Sequence, residues 1–252
     1  MSSKKYNSCI LTSYFCVNPH PQRFDINNKI EGINKNGMVL QDSWRYIHRL
    51  YNTSLDKQCD LFIFYDSLSG DFVDKYSTEN INFIRVSPSS FSNNDYRFKC
   101  YLDFLNNNTY EKVFMSDLCD VQLGMDPSSM EVNFDLFFCE DILNISDYYF
   151  GSMSYFDMHK SFGWENEKKF KDNNFKVLNM GAIGGNYNNV YKFLNLFCEL
   201  RIEAGNPNLN INMALGNYIA RNFFLDIRHG FPYCSEFKKY QTDREDVYFI
   251  HK

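Results

Sequence analysis

The stretch 110–127 reads YEKVFMSDLCDVQLGMDP: an apolar strand that ends at Ser116 and is followed by two carboxylates three residues apart, Asp117 and Asp120. In an open α/β sheet, ligands bind outside the carboxyl ends of the strands. Two acids held there repel each other unless a cation or hydrogen-bond donors neutralise them. A hard divalent ion bound through carboxylate oxygens is the economical explanation. The plainer alternative is that one Asp caps the next turn and the other is solvated. A second stretch, 177–185, reads VLNMGAIGG and sets Gly181, Gly184 and Gly185 in an apolar strand. Such glycines imply close approach of the backbone to a ligand, or a tight turn. The chain ends VYFIHK, a strand terminating in His251 and Lys252.

The elements that must position these residues are short β-type runs rich in Phe, Ile, Val and Tyr, at 9–15, 60–65, 82–86, 112–116, 135–139, 181–185, 223–227 and 247–250. Helical spacing lies between them. Residues 42–51 begin with Asp42 as an N-cap and place Trp44, Ile47, His48 and Tyr51 on one stripe. Residues 94–105 repeat the pattern behind an Asn/Asp start, and later helices are expected at 188–201 and 209–222. This alternation predicts an α/β fold, a mostly parallel sheet with crossover helices. With no repeat, linker or charge shift, residues 1–252 are expected to form one domain. The irregular segment 152–174 is expected to be a loop over the site.

An apolar strand ending in an Asp pair, then Val121-Gln122 and Asp126-Pro127, resembles the donor-site strand of GT-A-fold glycosyltransferases. Their DxD signature holds Mn²⁺ or Mg²⁺ against the diphosphate of a nucleotide sugar. Here the pair is spaced, Asp117 and Asp120, and Cys119 stands where the shorter motif has its second carboxylate. The resemblance implies a single GT-A-like, Rossmann-like domain, with Asp117, Asp120 and a late His, His251, as metal ligands. Asp120 is the first choice for direct ligation, and Asp117 also falls among the donor-binding residues. Thr12 and Ser13, in the opening strand, correspond to the end that packs on base and ribose. Arg97 corresponds to an arginine-bearing helix, where a guanidinium suits a pyrophosphate, although a surface ion pair is the commoner fate of an Arg. Lys252 would offset diphosphate charge. Asn179, in a segment that resembles Asn-x-Gly-x-x-Gly-Gly, would hydrogen-bond the transferred sugar, with Gly184 and Gly185 leaving room for it. Asn212 occupies an Asp position of a late helix, where an amide can orient a substrate but cannot act as a general base.

The resemblance thus implies transfer of a sugar from a UDP- or GDP-linked donor to a glycan or protein acceptor, with a divalent cation stabilising the leaving diphosphate. The runner-up is a catalytically degenerate domain of the same fold that binds nucleotide or glycan. A phosphohydrolase or nucleotidyltransferase using the same carboxylates lacks an obvious nucleophile. The chain carries Lys+Arg 26 against Asp+Glu 31, a net charge of −5, and no basic cluster, which argues against a nucleic-acid partner. No apolar run is long enough to predict a membrane span. The Cys 8 have no zinc-type spacing; several lie in apolar runs and read as buried thiols, which suggests a reducing, cytoplasmic setting. His48 reads as a helix-face residue, and His20, His159 and His229 as loop residues. The ending just after His251 suggests one domain of a longer protein, or a fold that needs no C-terminal extension. Phe 25 and Tyr 18 are expected to be core.

Overall fold

Strands of unbroken apolar character, such as DLFIFY and KVFMS, are buried on both faces and belong at the centre of a sheet covered on both sides. The computed structural model describes residues 5–20, 32–34, 37–145, 175–207, 209–239 and 241–251, and it builds such a sheet. Its seven strands are β1 (Ser8–Tyr14), β2 (Asp60–Tyr65), β3 (Ile81–Arg85), β4 (Lys112–Ser116), β6 (Leu136–Asn144), β7 (Lys176–Asn186) and β8 (Ile227–His229). They lie in the order β3-β2-β1-β4-β7-β6-β8. All pairs are parallel except those made by β7, which runs antiparallel to both β4 and β6. A separate ribbon pairs β5 (Val121–Leu123) with β9 (Phe249–His251). The fold is therefore the expected mixed, mostly parallel α/β sheet flanked by helices.

On one face lie α3 (Asn93–Leu105), α4 (Tyr187–Glu203) and α5 (Asn212–Phe223). They bury Phe98, Tyr101, Phe193, Phe197 and Leu215 against the sheet. Phe98 and Phe197 meet at 4.3 Å between ring centroids. Each fully buried ring of this kind contributes about 1.5–3 kcal/mol. The opposite face carries α1 (Trp44–Ser54), α2 (Gly70–Tyr76) and the β5/β9 ribbon, with Ile47, Leu50, Phe114, Phe137 and Phe249 in its core. The aromatic load is thus largely structural.

Strand order sets where a ligand can enter. The chain winds outward from β1 to β2 and β3 on one side, and β4 adds on the other, so the order reverses between β1 and β4. Such a reversal opens a crevice at the carboxyl ends of the two strands. Leu11 of β1 stands opposite Met115 of β4, so Ser13 continues level with Asp117.

Several elements differ from the sequence expectation. Asp42 does not cap α1; it sits at φ 54, its carboxylate accepts the Ser69 N–H, and Ser43 precedes the helix. Residues 223–227 are not one strand: Phe223 ends α5, Leu225 is fully exposed, and pairing starts only at Ile227. β6 and β7 run several residues past their expected limits because each finds a partner in the other. The segment 152–174 and His159 lie outside the described residues. Six cysteines form no disulfide, but Cys139 and Cys234 are joined in one. Among the described residues, no helix is long and apolar enough to cross a membrane.

Candidate active site

Asp117 and Asp120 leave β4 at the crevice, and the β5/β9 ribbon delivers a third group. Val121, the residue after Asp120, pairs with His251, so the imidazole is set beside the acid pair. His251 Nε2 lies 3.7 Å from Asp120 Oδ2 and 3.8 Å from Asp117 Oδ2. One ligand atom from each of the three residues falls within 4.8 Å of the others. Burial alone would lower the pKa of His251, but its pairing with Asp120 and the charges of Asp117 and Asp141 raise it. Burial of Asp120 works against its charge, and His251 outweighs this, holding the carboxyl below its usual value.

The residues present fit a divalent cation. Asp120 Oδ1 is buried without a hydrogen-bond partner among the described residues, an expensive state that the bound charge of an ion would compensate. Two carboxylates and one imidazole supply oxygen and nitrogen donors and leave further coordination positions open, as Mn²⁺ or Mg²⁺ requires.

Close approach of the backbone makes room for the imidazole. A Cβ on Gly181 would stand 2.6 Å from His251 Nε2 and 2.7 Å from Nδ1. The Phe237 ring lies 4.5 Å from the His251 ring. The Gly181 carbonyl also accepts the Asp117 N–H at 2.8 Å, which fixes the start of the acidic loop. By contrast, Gly184 and Gly185 stand opposite Phe114 and Val113 within the sheet. The space above them is filled by Phe114, Phe137 and the Asp135 carbonyl. Those two glycines are not brought to the acid pair.

Arg97 is buried on α3 and donates to Asp117 Oδ1 and, at 2.9 Å, to the Met180 carbonyl. Burial opposes its charge, and Asp117 more than restores it. The guanidinium therefore orients Asp117, while its Nε has no partner among the described residues. Thr12 is fully buried on β1, its hydroxyl without a hydrogen-bond partner among the described residues, and Ser13 lies beside Tyr101 and is half-buried. Asn179 is buried on β7; its Oδ1 accepts the Gly181 N–H at 2.8 Å and its Nδ2 donates to Asp141 at 3.3 Å. Asn212 is buried at the start of α5, where its Nδ2 contacts Asn210 Oδ1 at 3.5 Å. The next residue, Met213, reaches the Met180 N–H with its sulfur. Lys252 lies outside the described residues.

Three neighbours of the site, Asp141, His20 and Tyr46, were not picked out from the sequence. Asp141, on β6, is a buried carboxylate whose charge reaches His251. It falls past the expected end of its strand, so no motif marks it. His20, expected as a plain loop residue, feels Asp117 and Asp120; burial is the larger influence and lowers its pKa. Tyr46 of α1 is buried and hydrogen-bonded to Cys119, and burial together with the nearby acids raises both of their pKa values. Asp126, quoted with Pro127 above, caps the 3₁₀ turn Pro127–Ser129 and accepts the Gln58 N–H.

No protein-family model matches the chain, and no curated protein sequence matches it significantly. Solved structures do. The galactosyltransferase LgtC, crystallised with donor and acceptor sugar analogs, aligns over 96% of this chain and 86% of its own, with a TM-score of 0.50 and 12% identity. The fold is GT-A-like. At that identity the likeness speaks for the course of the backbone.

Proposed function

We propose that this chain is a cation-dependent glycosyltransferase. In this reading, one domain over residues 1–252 moves a sugar from a UDP- or GDP-linked donor to a glycan or protein acceptor. The observation that carries the proposal is the convergence of Asp117, Asp120 and His251 donor atoms at the β1/β4 crevice of a GT-A-like sheet. A bound Mn²⁺ or Mg²⁺ would supply Lewis-acid charge to the departing diphosphate.

The chain's own residues do the rest. Arg97 fixes one oxygen of Asp117 and leaves the other turned toward His251. Ser13, half-buried, would offer its hydroxyl near the end of β1, where nucleotide would lie; Thr12 is fully buried and would act from behind it, and Lys252 would offset diphosphate charge. Asn179, its amide oriented by Gly181 and Asp141, would hydrogen-bond the transferred sugar. Asn212 would orient the substrate from the start of α5. Because diphosphate charge develops only as the glycosidic bond breaks, these groups act mainly on the transition state.

A screen of UDP- and GDP-sugars for Mn²⁺-dependent hydrolysis tests the proposal. The wild type should release nucleoside diphosphate, and Asp120→Ala should abolish release without changing the circular dichroism spectrum. Undiminished turnover in that variant would sink the assignment. The second reading is a non-catalytic domain that binds nucleotide or glycan. It draws on Asn212, which cannot take a proton where a carboxylate could. Nucleotide binding without hydrolysis of any donor would favour it.

A further inference from the structure

His251 comes from the far end of the chain, and two features fix the segment that carries it. The first is Ser235. It is buried, its hydroxyl accepts the His251 N–H at 3.0 Å, and its own N–H bonds the Phe249 carbonyl at 2.9 Å. The second is its neighbour Cys234, which bridges to Phe249 and is joined to Cys139. Cys139 lies on β6, opposite Asn179 and two residues before Asp141. The disulfide therefore ties the strap that delivers the imidazole to the strands that carry Gly181, Asn179 and Asp141. Without it, His251 is held by the Ser235 hydrogen bonds and a three-residue pairing with β5, and no covalent link joins the strap to the main sheet.

We infer that the Cys139–Cys234 disulfide and Ser235 are positioning residues that hold His251 at the acid pair, so that cation affinity depends on the thiol–disulfide state of the chain. This rests on the cation site proposed above. Reduction by a dithiol would break the S–S bond: two electrons and two protons pass to Cys139 and Cys234, and the dithiol becomes a cyclic disulfide. Both cysteines are buried, so exchange requires the strap to open first.

The test reads Mn²⁺ itself, not turnover. Affinity is measured from the free-ion electron paramagnetic resonance signal, and the ¹⁴N coupling of bound Mn²⁺ reports whether an imidazole is ligated. The proteins are wild type prepared without reductant, wild type prepared throughout in dithiothreitol, Cys139→Ala/Cys234→Ala, Ser235→Ala, and His251→Ala as the reference. The reduced protein and both strap variants should bind Mn²⁺ about 10-fold or more weakly and lose most of the ¹⁴N coupling, while the circular dichroism spectrum is retained. Ser235→Ala keeps the cysteines, so it answers the question even if the double variant fails to fold. Unaltered affinity and coupling in the reduced protein and in Ser235→Ala would overturn the inference alone, as would peptide mapping that finds Cys139 and Cys234 free in protein prepared without reductant. Wild type that binds no Mn²⁺ would overturn the underlying site as well.

Discussion

Replacing Gly181 by Ala separates a packing role from a site role in a single methyl group. The new Cβ would meet His251 Nε2 at 2.6 Å and Nδ1 at 2.7 Å, where ordinary contact begins at 3.4 Å. Ring atom Cε1 would lie closer still, so the ring must retreat by more than about 0.8 Å from a glycine whose own backbone conformation any residue can adopt. His251 is buried and packs against the Phe237 ring, so it has little free space to move into. Metal–ligand distances tolerate only about 0.2 Å, so the displacement takes Nε2 out of coordination range. We expect Gly181→Ala to weaken Mn²⁺ binding about 10–100-fold, with an overpacking cost of about 1–3 kcal/mol. Gly184→Ala is the matched control. Its Cβ would meet Phe114 at 2.5 Å and Phe137 at 2.6 Å, inside the sheet and away from His251. It should lower Tm by a similar amount and leave Mn²⁺ affinity at the wild-type level. The assay is Mn²⁺ titration followed by electron paramagnetic resonance, with Tm measured on the same samples. Wild-type affinity in Gly181→Ala, or equal loss of affinity in both variants, would refute the reasoning.

Arg97→Lys keeps the charge but cannot reach Asp117 and the Met180 carbonyl together; Mn²⁺ affinity should fall several-fold, and an unchanged titration would count against Arg97 as the residue that orients Asp117. Arg201 bonds the buried Asp95 at 2.7 Å and also the Asn206, Pro207 and Leu209 carbonyls. Removing it leaves a buried acid unpaired, so Arg201→Met should cost about 3–5 kcal/mol in urea denaturation; a loss well under 1 kcal/mol would contradict this. Asp135 accepts the Asp226 N–H at 3.0 Å and the Leu225 N–H at 2.8 Å, and these bonds hold its carboxyl below the usual range. A depressed carboxylate stabilises the fold above its unfolded value near 3.9, and that contribution is lost as pH falls through the folded value. Asp135→Asn should therefore lower Tm at neutral pH, with the gap to wild type closing in acid; a gap independent of pH would exclude this account.

The parts legible in the sequence are those in which local pattern and tertiary environment agree. The strands at 60–65 and 112–116 are found where the apolar runs place them, because a strand buried on both faces is apolar throughout. α3 and α4 also fall close to their expected limits, each behind a capping Ser or Asn side chain. Short elements that exist through their partner are different. β5, three residues long, has no pattern of its own and forms because β9 pairs with it. The extensions of β6 and β7, and the failure of Asp42 to cap α1, are decided in the same way by contacts from elsewhere in the chain.

For the candidate site, the sequence by itself determined the chemistry on offer: a carboxylate pair after an apolar strand, glycines in a late strand, and a terminal histidine. It could not say which glycine matters, because three glycines in five residues look alike until one of them lies beneath an imidazole. Nor could it show that Arg97 spends its guanidinium on Asp117, that Asp141 lies within reach of His251, or that two of eight cysteines are joined. Side-chain chemistry is local and can be read residue by residue. Which of those groups meet is set by strand order and by the β5/β9 pairing, contacts between segments distant along the chain, such as Val121 with His251, and only the folded sheet decides them.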